Sequence, residues 1–278
     1  MNHYMKLVNY EINRFVKVYL SLLLITFISQ FAGVLISSVN KKNDVKRVMF
    51  EQSWSMAQYI HHNGKISFLA NLETLWFLGP IAVCAAAMIF YIFLIWYRDW
   101  FGKNTFIYRL LMLPTSRLNI FFAKATAIFL MVLGFIAFQI VLLPLQNGLF
   151  QWIVPEDYIF IMNLSEIMRA STFISMIIPN TFSEFLAYYG LGFILILVVF
   201  TAILFERSYR WKGIVIGILY IILAGAVFLS PFIIMVIFER SNLFYPLEFL
   251  LLEIGLGLLV TSTSIWISKF LLNRKITV

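Results

Sequence analysis

The chain has 278 residues, of which 62% are apolar and only 12% charged, with 29 phenylalanines and a formal net charge of +8. A soluble domain carries about 25% charged residues, so this chain lacks the polar side chains to coat a water-facing surface, and one membrane domain over residues 1–278 is the economical organisation. In a multi-pass chain the basic excess records orientation rather than nucleic-acid binding, and a single cysteine, Cys84, excludes a disulfide framework and a thiolate metal site.

The first twenty residues have no short apolar core followed by a small-residue cleavage site, so a removable signal peptide is not expected. Met5, Val8, Ile12, Phe15, Val16 and Tyr19 recur at helical spacing, with Lys6, Asn9, Asn13, Arg14 and Lys17 on the other face. That pattern predicts an amphipathic helix lying along the membrane interface, its basic residues toward anionic headgroups.

Six apolar stretches are long enough to cross ~30 Å of hydrocarbon at 1.5 Å per residue. They lie near residues 18–39, 75–97, 121–144, 186–205, 213–238 and 248–271. The fold class expected is therefore all-α integral membrane, with six transmembrane helices behind an N-terminal amphipathic interfacial helix. With the N-terminus inside, the inner segments hold fourteen Lys and Arg residues and the outer segments seven. This bias places both termini in the cytoplasm. Lys41, Lys42, Lys46 and Arg47, directly after the first span, run against it.

Charged groups within spans are functional candidates, because an ionised side chain in hydrocarbon costs several kcal/mol. Lys124, one turn inside the third span, is expected to snorkel to the cytoplasmic interface. Glu253, in the second turn of the last span, either faces a substrate path or hydrogen-bonds a neighbouring helix.

Residues 145–185 are mixed in character and acidic, and Pro155 and Pro179 break their two apolar stretches. Neither stretch is clean enough to span, so this segment is expected to dip into the bilayer edge, cap the outer side, or form an aromatic-rich surface loop.

No enzyme is expected. The phosphate-cradling pattern GxxxxGK[ST] is absent, the three histidines lie outside the spans, and no HExxH, GxSxG or paired-carboxylate helix occurs. His61 and His62 are adjacent, and neighbours on a helix point apart rather than toward one metal. Without a ladder of intramembrane acids or paired broken helices, a secondary transporter is also disfavoured.

The segment between the second and third spans, residues 98–124, is the most informative. Asn104 or Thr105 is placed to cap a short helix to about Leu113, and Pro114 stops it. Phe106, Leu110 and Leu113 form an apolar face with Arg109 offset from it, Thr115 or Ser116 can cap the third span, and Arg117 begins that span. By itself this is a proline-ended amphipathic connector at the cytoplasmic mouth.

The segment resembles the loop of the type-2 permease family of ATP-binding-cassette exporters, through Gly102, Thr105, Leu110, Leu111, Leu113, Pro114, Ser116, Arg117 and Lys124. The overall plan of amphipathic start, six spans and cytoplasmic ends is similar too. The resemblance implies that Thr105, Arg109, Leu110, Leu113, Pro114, Ser116 and Arg117 belong to a coupling helix seated in a cytoplasmic ATP-binding subunit. It also implies a second permease chain, identical or a sister, and a plasma-membrane location. ATP and Mg would be held by the partner ATPase, with no cofactor in this chain. The cargo would be a peptide, lipid or hydrophobic small molecule. The competing reading is a non-transporting membrane protein, an immunity, assembly or sensory factor that binds partners through its outer loops.

Overall fold

The computed structural model describes residues 3–101, 106–112, 114–237 and 245–276. Among the described residues helix dominates, and six helices are long and apolar enough to cross a membrane. The chain is an all-α polytopic membrane protein.

Helix α1 (His3–Glu51) has 49 residues. The N-terminal amphipathic stretch is helical as expected, but it is not a separate interfacial helix, because it runs without a break into the first span. The reason is local. Residues 3–51 contain no proline and one glycine, Gly33, so nothing interrupts propagation. One buried face also continues through both parts, with Val8, Glu11, Phe15, Leu22, Thr26, Gln30, Val34 and Ser38 at steps of three, four or seven.

Helices α2 (Met56–Asn63) and α3 (Leu69–Leu72) flank a two-residue strand, β1 (Ile66–Ser67). The second span lies within α4 (Leu75–Phe101), which contains Pro80. Proline cannot donate back to the carbonyl of residue 76, and that carbonyl accepts instead from Ser29 Oγ of α1 at 3.3 Å. The short α5 (Phe106–Leu111) precedes α6 (Arg117–Ile153). The third span was expected to end at Leu143–Pro144, but α6 continues past Pro144 for nine residues and buries Phe150 completely.

Beyond α6 come strand β2 (Ile159–Phe160), α7 (Leu164–Ala170) and α8 (Thr172–Ile177). The fourth span is α9 (Phe182–Tyr209). The fifth, expected as one stretch over 213–238, is two helices, α10 (Trp211–Phe228) and α11 (Ser230–Ile237). Pro231 cannot donate to the carbonyl of Val227, which accepts from Ser230 Oγ at 2.8 Å. The sixth is α12 (Pro246–Phe270), extended by a π-helical turn over Leu271–Lys275.

Internal contacts divide the chain into two compact units. One comprises Met1–Arg14, Ile89–Phe129 and Leu186–Val278, and the other Phe15–Met88 and Leu130–Phe185.

The first unit is centred on Trp96, Phe121 and Phe200, all fully buried, with Trp96 and Phe200 meeting edge to face at 5.5 Å. Helix α10 folds back on α9 after a turn through Arg210, whose φ is 54°. Gly213 and Gly217, one turn apart, make this approach possible. A Cβ at Gly213 would collide with the Phe205 carbonyl, and one at Gly217 would lie 2.9 Å from the Ala202 carbonyl. Hydroxyls tie α12 to both helices, Ser268 to Thr201 at 3.0 Å and Ser264 to Tyr220 at 2.6 Å.

In the second unit an apolar cluster gathers Phe68, Leu72, Phe77, Phe150, Ile159, Ile167 and Ile174. Strands β1 and β2 pair in parallel, Ile66 opposite Ile159. The mixed 145–185 segment therefore splits. Its first part lengthens α6, its middle forms β2, α7 and α8, which share the apolar cluster with Phe68, Leu72 and Phe77, and its last residues open α9. Deeper in the same unit, Gln30 donates to the Phe77 carbonyl at 3.2 Å and accepts from Gln146 at 2.8 Å.

Candidate functional site

The first unit contains a cluster of five charged side chains where α1, α4 and α6 meet. Lys124 has no exposed side-chain surface, and its ammonium lies 2.6 Å from Glu11 Oε1, 2.5 Å from Asp99 Oδ2 and 3.0 Å from the Ile95 carbonyl. Three acceptors satisfy all three N–H donors of a lysine. Asp99 is wholly buried and Glu11 is 3% exposed. Arg14 completes Asp99 at 2.6 Å from the other carboxylate oxygen, and Arg98 lies 3.5 Å from Glu11 Oε2. Two carboxylates thus face three cations, leaving one formal positive charge.

Local sequence puts each member in place. Glu11 sits between Val8 and Phe15 on the buried stripe of α1. Ile95 and Asp99 are one turn apart on α4, with Trp96 beside them. On α6, Lys124 is flanked by Ala123, Ala125 and Ala127, whose small side chains are completely or almost completely buried. The Trp96 ring lies 5.4 Å from the Lys124 ammonium and adds a cation–π contact.

The expectation that Lys124 snorkels to the interface is corrected. It turns inward because two carboxylates from other helices meet it at its own depth, which removes the cost of an unpaired charge in an apolar interior. Sequence reasoning missed Glu11 and Asp99 altogether. The one available signal was Glu11, an acid on a helical stripe otherwise made of Val8 and Phe15.

The cluster is joined to α5. Phe106, the first residue of that helix, stacks on Tyr10 with centroids 5.7 Å apart and planes at 25°. The Arg14 guanidinium lies 5.2 Å from the Tyr10 ring and 5.4 Å from Phe106. One side of Arg14 is thus fixed by Asp99, and its flat face by the two rings.

Of the residues expected in the coupling segment, Thr105 and Leu113 lie outside the described residues. Leu110 is 5% exposed, and Ile107 and Leu111 are buried as well. Leu110 therefore packs inside the first unit and is not presented to a partner. The exposed residues are Arg109, Met112, Pro114 and Ser116. Arg109 lies 5.7 Å from the Phe106 ring. The Ser116 carbonyl accepts from Asn119 N at 2.8 Å, opening the first turn of α6. Arg117 Nη1 donates to the Leu272 carbonyl and, at 2.9 Å, to that of Ile276, so it holds the end of the chain's last helix.

Glu253 lies on α12, half-buried, and its Oε2 has no hydrogen-bond partner among the described residues. His62 stacks on Trp54 at 4.7 Å.

Compared with known proteins, the chain matches no family model, no curated protein and no solved structure.

Proposed function

We propose that this chain is the membrane-spanning permease subunit of an ATP-driven exporter of the type-2 ATP-binding-cassette class. It works with a cytoplasmic ATPase subunit, which supplies ATP and Mg, and with a second permease chain. It resides in the cell membrane with both termini cytoplasmic, the orientation favoured by the twofold excess of Lys and Arg in alternate connecting segments. The cargo is a peptide, lipid or hydrophobic small molecule, and Glu253 is the side chain assigned to its path.

The observation that carries this reading is the mounting of α5. A helix of six residues has little stability by itself, yet here Phe106 is clamped by Tyr10 and Arg14, and Arg14 is clamped by Asp99. A displacement of α5 is passed through Arg14 to the buried pairs joining α1, α4 and α6. Closure of an ATPase pair on nucleotide binding would push on Arg109, Met112, Pro114 and Ser116, and the ion cluster would carry that push to three spans. Such a device converts a ligand-driven population shift at one end into rearrangement of the spans.

The test is Met112→Asp, which places a charge on the exposed side of α5. Expression and membrane insertion stay normal, while co-purification of the ATPase subunit and stimulated ATP hydrolysis fall. If the variant keeps both the ATPase partner and transport, or if crosslinking from Ser116→Cys captures no ATPase, this segment is only a connector.

A further inference from the structure

The basic residues after the first span oppose the charge bias of the other loops, and one of them is held differently from its neighbours. Lys46 and Arg47 are exposed, whereas Lys41 is turned inward to Asn71 of α3. Its ammonium donates to Asn71 Oδ1 at 2.7 Å and lies 5.6 Å from the Phe150 ring. Ser37 Oγ donates to the same oxygen at 2.6 Å.

Asn71 is only 3% exposed, and with Oδ1 taken by two donors its amide Nδ2 is left without a hydrogen-bond partner among the described residues. Nor does Lys41 have a carboxylate within ion-pair distance among them. The buried amide brings two N–H donors and the lysine at least one more beyond its bond to Asn71. A surplus of donors around a cation calls for an anionic oxygen acceptor.

Depth identifies which acceptor. Residues 18–40 carry no charge, a run long enough to cross ~30 Å of hydrocarbon. Lys41 is the first charge beyond that run, which sets it where a span of this length reaches the headgroup phosphates. On either face of a bilayer, a basic side chain at this depth meets lipid phosphates, and an anionic lipid is the one whose net charge it favours. We infer that Lys41 and Asn71 form a binding site for the phosphate of an anionic phospholipid, a site that does not depend on the exporter reading.

The experiment uses the full chain purified in a neutral detergent, with retention of phosphatidylglycerol against phosphatidylcholine followed by native mass spectrometry. Wild type retains phosphatidylglycerol preferentially. Lys41→Met lowers that retention roughly tenfold, the scale of one lost charge-assisted bond, and Lys46→Met leaves it unchanged. Asn71→Asp keeps the side-chain shape and supplies Lys41 with an internal carboxylate, so it folds and also loses the lipid. Equal retention of the two lipids by wild type, full retention by Asn71→Asp, or an equal loss in Lys46→Met would each overturn the site. Displacement of the lipid by an equal concentration of inorganic phosphate would show a free-anion site and overturn the lipid assignment.

Discussion

The ammonium of Lys124 lies 2.5 Å from Asp99 Oδ2, and neither side chain has any exposed surface. A lysine and an aspartate enclosed together in an apolar chain are tolerated only as a set. Each partner offsets the desolvation of the other, and removal of one strands the rest. With Glu11 as the second carboxylate, the set joins three helices that cross the membrane.

Lys124→Met is therefore expected to destabilise the folded protein by about 3–5 kcal/mol, because two buried carboxylates lose their common cation. Neutralising the acids as well, with Glu11→Gln and Asp99→Asn in the same chain, is expected to recover much of that loss. Thermal unfolding in detergent, followed by tryptophan fluorescence, measures both. A triple variant no more stable than Lys124→Met alone would refute the set.

Leu110→Asp separates a packing role from a docking role. Since Leu110 is buried, an aspartate there has neither room nor partner, and folded, monodisperse protein should be largely lost. Leu110→Ala should cost about 2–5 kcal/mol as a cavity. Size-exclusion profiles and melting curves give the comparison with Met112→Asp, which should melt as wild type does.

Arg117 hydrogen-bonds two carbonyls near the end of the chain, those of Leu272 and Ile276. Arg117→Ala leaves both acceptors without this donor, at about 1–3 kcal/mol locally for a charged donor. Hydrogen exchange over residues 270–276 should speed up while exchange in α9 stays unchanged. Uniform acceleration across the chain would mean that Arg117 acts globally.

Cysteines at exposed positions test the sidedness of the spans. Asn43, Phe160, Tyr209 and Lys275 are all exposed. An impermeant thiol reagent applied from outside should label cysteines at 43 and 160, and not those at 209 and 275. The positions 104 and 243, suited by sequence to the same assay, lie outside the described residues. Labelling of 43 and 209 from one side would contradict six crossings.

The crossings were legible because membrane partition is additive along a helix. Each apolar residue contributes whatever its neighbours do, so residues 75–97 and 186–205 could be placed without knowing what they touch. The short helix ahead of Pro114 was equally local, since proline sterics act within one turn, although it ends at Leu111 rather than at about Leu113. Where the expected bounds were off, the missing information was long-range. Helix α6 outran Pro144 because Phe150 is buried against Phe68 of a distant segment, and α1 remained one helix because Glu11 continues its buried face.

Sequence by itself determined a predominantly helical membrane protein with six spans and a short helix between the second and third of them, since each follows from hydropathy or backbone sterics within a few turns. Tertiary structure alone decided the fate of the charges. Lys124 meets Glu11, 113 positions away, and Asp99, 25 positions away. Leu110 faces inward rather than out, and Lys41 is directed to Asn71 rather than to water. The physical reason is that an apolar side chain gains from any dry surroundings, whereas a charge or an amide gains only from a particular partner at hydrogen-bond distance. The position of that partner is a property of the packed chain.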